Sequence, residues 1–158
     1  MKIRKIISGG QTGADRAAFD FALENGIEIG GFVPKGRLAE DGRVPDKYPN
    51  LQETSTKIYA RRTELNAKEA DATLILSHGE LKGGSKFTAK SAEKFRKPFL
   101  HINFSDLTIT QAVKLTRKWL KETDCKILNV AGARASGDAE IYEKTKKFLE
   151  KVFSLNKH

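Results

Sequence analysis

Cysteine is nearly missing from this chain of 158 residues: Cys125 is the only one. An internal disulfide is therefore excluded, which suits a reducing compartment. The three histidines and the lone cysteine form no metal-spaced set, and neither H-E-x-x-H nor G-x-S-x-G occurs. The common zinc-protease and nucleophile-elbow chemistries are thereby set aside, and no protein-ligated metal is expected. Long hydrophobic runs are also missing. The apolar stretches have strand length, well short of the ~20 residues of a membrane span. The opening MKIRKIIS is basic and then apolar, too short for a signal-peptide core and followed by no small-residue cleavage site. A cytoplasmic protein with no membrane partner is the expectation. Aromatic residues make up only 8% of the chain. Neither an aromatic stacking platform nor a recognition-helix pattern is present, so nucleic acid is disfavoured as a partner. No repeat or low-complexity segment is found.

Positive charge is plentiful. The formal net charge is +9, which favours anionic partners in general. Much of it is interleaved with Glu, as in EIYEKTKKFLEK, the pattern of a solvated helix face.

Five short apolar runs recur along the chain: Ile3–Ile7, Ile27–Val33, Ala72–Leu76, Phe99–Ile102 and Ile127–Ala131. Each reads as a strand. Helix-length segments lie between most of them. The spacing predicts helices over Asp15–Asn25, Thr56–Ala70, Ser85–Arg96, Thr108–Glu122 and Ala139–Phe153, with apolar stripes such as Ala18, Phe19, Ala22 and Leu23. Alternation of this kind implies an α/β fold: a single-domain, doubly wound, mostly parallel sheet with helices on both faces, Rossmann-like in layout. The domain is expected over 1–153, with 154–158 a frayed tail. One stretch breaks the alternation. Pro34–Glu53 carries three of the four prolines, four basic and four acidic residues. A loop of that length in a compact domain points to a site-forming role.

Ligands of such folds sit beyond the C-terminal ends of the strands, so the residues after each run carry the functional reading. After the first run comes SGGQTGADR. It is not a Walker A loop, because no Lys-Ser/Thr follows Gly13, and it is not the full dinucleotide fingerprint, because Gly9-Gly10 replaces G-x-G. No acid ends the second run to hold a ribose; Lys35 and Arg37 stand there instead. The turn either cradles an anion on backbone N–H groups or is a tight connection only. Ser8, Gly9, Gly10, Gln11, Thr12 and Gly13 would form such a cradle, followed by Arg16. Asp15 either caps the helix or accepts from a ligand hydroxyl.

A second small-residue turn, Gly83-Gly84-Ser85 with Thr88, opens another helix and offers a second anion site or a plain N-cap. Arg62 and Asn66 share one helix face with Thr63 beside them. Asn129 is polar within an apolar run, the pattern of a side chain that satisfies a loop. Gly132, Arg134 and Ser136 follow that run, and Arg43 lies in the long loop. His78 follows the third run and is a candidate acid or base; His101 reads as a core histidine. No catalytic set is assigned.

Four segments in this order carry a resemblance: SGGQTGADRAAFDFA, GGFVPKGRLAEDGRVPDKYP, RRTELNAKEADATLIL with GGSKFTAK, and LNVAGARAS with DAEIY. The chain resembles the molybdenum carrier proteins, the circularly permuted YpsA-like branch of the SLOG superfamily, over about residues 3–150. It departs from their pattern at Ala67, Ala70, Ala72, Ser85–Phe87 and Ala133. The resemblance implies a Rossmann-like fold with a groove at its Gly-rich edge. It also implies a homo-oligomer, dimer or tetramer. The implied ligand is small and anionic: the molybdenum cofactor, a phosphorylated pterin, or a nucleotide. The alternative is an enzyme like the related nucleotide phosphoribohydrolases, which cleave a base–ribose bond using a P-G-G-x-G-T-x-x-E loop. Here Lys82-Gly83-Gly84 lacks the proline, and Lys90 or Ser91 stands at the acid's place. Glu40 or Asp41 would then have to supply the carboxylate.

Overall fold

The computed structural model describes residues 2–154. Of the tail expected to fray, 154–158, only Ser154 falls among the described residues. A six-stranded parallel sheet forms the centre. Its strands are β1 (Lys5–Ile7), β2 (Glu28–Val33), β5 (Leu51–Glu53), β6 (Ala72–Ser77), β7 (Phe99–Asn103) and β8 (Ile127–Gly132), in the order β5-β2-β1-β8-β6-β7. The helices are α1 (Ala14–Glu24), α2 (Tyr59–Glu69), α3 (Gly83–Lys94), α4 (Ile109–Thr123) and α5 (Ile141–Val152).

The strand order fixes the layers. From β1 the chain steps one way to β2, and from β6 it steps the other way to β7. Both crossovers are right-handed only if α1 and α3 lie on opposite faces. The packing agrees: α1 and α4 both pack on α5, whereas α2 packs on α3. Every residue of β6 is buried, as a central strand covered on both faces requires. Phe19, Phe21, Phe148, Leu74, Leu76 and Leu128 are among the fully buried side chains. The chain reverses its winding between β1 and β6, with β8 between them, and that reversal opens a crevice at the C-terminal ends of these strands.

The expected strands and helices all occur, with shifted ends. β1 begins at Lys5 and α2 at Tyr59. Helix α3 starts at Gly83, two residues before Ser85, with Lys82 as its extended N-cap and Gly83 at φ +47, a conformation that favours glycine. Thr108 caps α4 in a reciprocal capping box with Gln111. The long segment after β2 is an ordered strap. It holds a turn at Lys35–Arg37, a hairpin of β3 (Leu38–Ala39) and β4 (Gly42–Arg43), and the edge strand β5 beside β2. None of these was legible as an element: two strands have two residues each, and Leu-Gln-Glu alternates too briefly to be read. The strap is pinned at both ends. The Arg37 guanidinium donates to the carbonyls of Val44, Pro45 and Tyr48. The Tyr48 hydroxyl donates to Asp20 on α1 at 2.6 Å.

Candidate functional site

A cavity of about 350 Å³ fills the crevice. Its floor comes from the strand exits: Gly9 after β1, Ser77 and His78 at the end of β6, and Asn129 to Arg134 at the end of β8. One wall is α2, through Arg62, Thr63 and Asn66. Another is the start of α3, through Lys82, Gly83, Gly84, Ser85 and Thr88. Gln11, Asp15, Glu80 and Asp138 complete the lining. The volume lies toward the small end of the range for ligand clefts.

The two glycine turns do different work. In SGGQTGADR most backbone amides are already spoken for. Gln11 N–H donates to Asp15, Thr12 N–H to the Gln11 side-chain oxygen, and Ala14 N–H to the Ala133 carbonyl. A Cβ on Gly13 would stand 2.4 Å from the Ala133 carbonyl oxygen, so this glycine lets the β8 exit approach α1. Gly10 packs against Val33 and Val44. Of this motif only Gly9, Gln11 and Asp15 line the cavity. At α3 the reverse holds. No side chain caps the helix, and a Cβ on Gly83 or Gly84 would meet nothing within 4 Å. Open space in front of uncapped N-terminal amides is what an anion needs.

Several residues expected at the site are engaged elsewhere. Ser8 is fully buried and donates to the Val130 carbonyl at 2.7 Å. Thr12 donates to Glu40, and Ser136 donates to Glu40 from both its amide and its hydroxyl. Glu40 thus ties the β3–β4 hairpin to the loop after β8 and to Thr12 just before α1, and the Ala135 amide of that loop donates to Thr12 as well. Burial opposes its ionised form, but the bonds from Ser136 and Thr12 outweigh that and hold its carboxyl below the usual range. Arg16 forms a two-pronged pair with Asp41 and donates to the Gly10 carbonyl. Arg37 holds the strap, Arg43 pairs with Asp46 at 2.5 Å on the surface, and Lys35 is exposed. None of these, nor Glu40 and Asp41, lines the cavity. The remaining expected residues, Gly9, Gln11, Asp15, Arg62, Gly83, Gly84, Ser85, Thr88, Asn129, Gly132 and Arg134, all do.

Arg62 and Arg134 share the Tyr59 ring, with guanidinium carbons 5.2 and 5.5 Å from its centroid. Arg62 is only 7% exposed and donates to the Gly9 carbonyl at 2.6 Å. Burial lowers its pKa, partly offset by the charge of Asp15. Arg134 is more open and reaches Glu40 at 3.7 Å, leaving its fork available at the rim. Asn129 is buried, but it donates weakly to Thr73 at 3.3 Å and does not hold a loop. Asn66, by contrast, does secure backbone, taking the amide of Phe32 and donating to its carbonyl.

His78, read from the sequence as a candidate acid or base, lines the cavity, whereas Glu80, Lys82 and Asp138 were not legible as site residues. His78 pairs through Nδ1 with Asp138 at 2.6 Å, joining the loops after β6 and β8 across sixty positions. Glu80 and Lys82 lie in the turn before α3. Only the position of His78 after a strand had signalled it; Asp138 meets it solely through the fold. His101 sits on the edge strand β7 and bonds the Ser77 hydroxyl at 2.7 Å. Among the described residues no His/Cys/Asp/Glu cluster could hold a metal ion, and no helix is long and apolar enough to cross a membrane.

Comparison with known proteins matches residues 6–153 to the circularly permutated YpsA SLOG family. The chain belongs to that family. A crystal structure of a "putative molybdenum carrier protein" from Syntrophus aciditrophicus SB is 53% identical and superimposes with a TM-score of 0.94, covering 96% of this chain and 95% of that one. The curated proteins contain no match. The family membership agrees with the resemblance read from the four motifs, and the near-complete superposition agrees with a Rossmann-like layout.

Proposed function

We propose that this member of the circularly permutated YpsA family reversibly binds a small phosphorylated heterocycle, a phosphorylated pterin of the molybdenum-cofactor type or a nucleotide. The observation that carries the reading is the uncapped start of α3, with Gly83 and Gly84 bare toward the cavity and Lys82, Ser85 and Arg134 around it. These groups suit a phosphate: amides, an ammonium, a hydroxyl and a fork. The name of the Syntrophus protein supports a molybdenum-related cargo. Any molybdenum would have to be held by the pterin, since the lining offers no cluster of metal ligands.

The test is native mass spectrometry of gently purified protein, followed by calorimetric titration with 6-hydroxymethylpterin phosphate and with nucleoside monophosphates. We expect a retained phosphorylated mass, or micromolar binding of at least one compound. Arg134→Lys keeps charge but loses the fork, and should weaken binding about tenfold. No retained mass and no binding at millimolar ligand would refute the reading. The rival, cleavage of a base–ribose bond, finds Glu40 and Asp41 committed to Thr12, Ser136 and Arg16. Release of free base from monophosphates, measured by chromatography, would revive it with Asp15, Glu80 or Asp138 as the acid.

A further inference from the structure

At the floor of the cavity stand a buried carboxylate with a single hydrogen-bond donor and no ion pair, and a buried amide nitrogen with no partner among the described residues. Asp15 is 6% exposed. Its carboxylate takes the Gln11 amide at 3.1 Å, and among the described residues it forms no ion pair within 4 Å. The neighbouring arginines are occupied: Arg16 with Asp41 and the Gly10 carbonyl, Arg62 with the Gly9 carbonyl and Thr63. Gln11 is 5% exposed, and its Nε2 has no hydrogen-bond partner among the described residues. Its amide cannot simply be turned over. Oε1 accepts from the backbone amides of Thr12 and Glu40, at 3.1 and 2.9 Å, so the nitrogen is the atom left over. Unpartnered groups of this kind cost stability and call for a reason. Asp15 is not spent on capping either: Gly13 is the N-cap of α1, and no side chain caps that helix.

We propose that Asp15 and Gln11 form a subsite that reads the 2-amino-4-oxo edge of a fused pyrimidine ring, as found in guanine and pterins. The reading rests on the proposed function above and says which end of the ligand goes where. That edge presents two adjacent donors, a ring N–H and an exocyclic NH₂, followed by a carbonyl acceptor. A carboxylate accepts the two donors as a pair, and the Gln11 Nε2 donates to the carbonyl. Adenine presents the opposite order, a ring acceptor beside an amino donor, and would leave both protein groups unmet. The phosphate end then falls to the start of α3. Burial pushes the Asp15 carboxyl up to about 6, against the pull of Arg62, which is the behaviour of an acid waiting for donors.

The experiment is calorimetric titration with GMP, IMP, AMP and 6-hydroxymethylpterin phosphate, on the intact chain and on Asp15→Asn. Asparagine keeps an oxygen for the Gln11 amide but sets an NH₂ against the ligand's donors. The expected result is that GMP or the pterin phosphate binds at least tenfold tighter than IMP and a hundredfold tighter than AMP. Asp15→Asn, folded by circular dichroism, should erase that ranking. AMP or IMP binding as tightly as both amino-oxo compounds overturns the subsite while leaving the broader function standing. So does a uniform loss in Asp15→Asn with the ranking unchanged, which would mark a structural role. Binding of none of the four overturns both readings.

Discussion

Asp15→Asn also tests the electrostatics of the empty cavity through stability alone. Burial lifts the Asp15 carboxyl from its ordinary 3.8 to about 6, with Arg62, the Gln11 amide, Ser8 and Arg16 pulling the other way. A folded-state value above the unfolded one means that the native chain holds the proton more tightly. Its stabilising contribution is therefore complete below about pH 4, declines as pH rises toward 6, and is gone above that. The difference between the two values corresponds to about 3 kcal/mol. Asparagine does not titrate, so the variant escapes this loss. Because the unfolded carboxyl is already more than half ionised at pH 4, the stability of Asp15→Asn relative to the parent should improve by about 2.5 kcal/mol between pH 4 and pH 7.5, whatever fixed cost the substitution carries. For a domain of this size that is about 5 to 10 °C in Tm. Urea unfolding of both proteins at half-unit pH steps measures it, and the other titrating groups largely cancel in the difference. A flat difference across pH 4–7.5 would show that Asp15 titrates in the folded chain as it does in the unfolded one, as a solvated carboxyl would. A difference that falls with pH would reverse the sign of the argument.

Glycine substitutions should separate the two turns. Gly13→Ala combines φ +84 with a contact 2.4 Å from the Ala133 oxygen, and should cost at least about 3 kcal/mol in chemical denaturation. Gly84→Ala meets nothing, so stability should stay within about 1 kcal/mol while phosphate-ligand affinity falls; loss of folding with Gly84→Ala would contradict this. Tyr48→Phe removes the bond to Asp20 at 2.6 Å beneath the strap. Because Tyr142 still donates to Asp20, the loss should be moderate, about 1 to 2 kcal/mol at an unchanged denaturant slope.

The layered α/β architecture could be read from the chain because each core strand lies in a short, mostly apolar run and each helix carries a stripe. Central strands such as β6, buried on both faces, leave the plainest trace. The strap left none. Its strands are too short for periodicity, and what orders it is side-chain bonding: Arg37 to three carbonyls within the strap, and, at long range, Tyr48 to Asp20 and Glu40 to Thr12 and Ser136. The charged residues of that strap looked like ligand groups because their partners could not be seen. Arg16 and Asp41 are a matched pair only once the hairpin folds back, while Arg43 pairs locally with Asp46 three positions on. The same blindness hid Asp138, which joins His78 through the fold alone.

Both glycine turns follow a strand and open a helix, so composition cannot tell them apart; what separates them is whether the helix's first amides are already used. At α1 the incoming loop after β8 supplies a carbonyl, Ala133 O, and the local side chains of Asp15 and Gln11 take two more N–H groups. That closes the first turn to an anion and leaves it presenting a carboxylate and a spare amide nitrogen. At α3 the Lys82 carbonyl serves the later amides of Ser85 and Lys86, and among the described residues the amides of Gly83 and Gly84 have no backbone partner. One crevice therefore has chemically different ends: donors and positive charge at α3, a carboxylate beside an unpartnered amide donor at α1. A ligand that satisfies both must carry its anionic group and its hydrogen-bond donors at separate ends. Inorganic phosphate alone fills only one of them. Inorganic phosphate should thus compete with a phosphorylated pterin or GMP only at far higher concentration, and the competition should survive Asp15→Asn but weaken in Arg134→Lys.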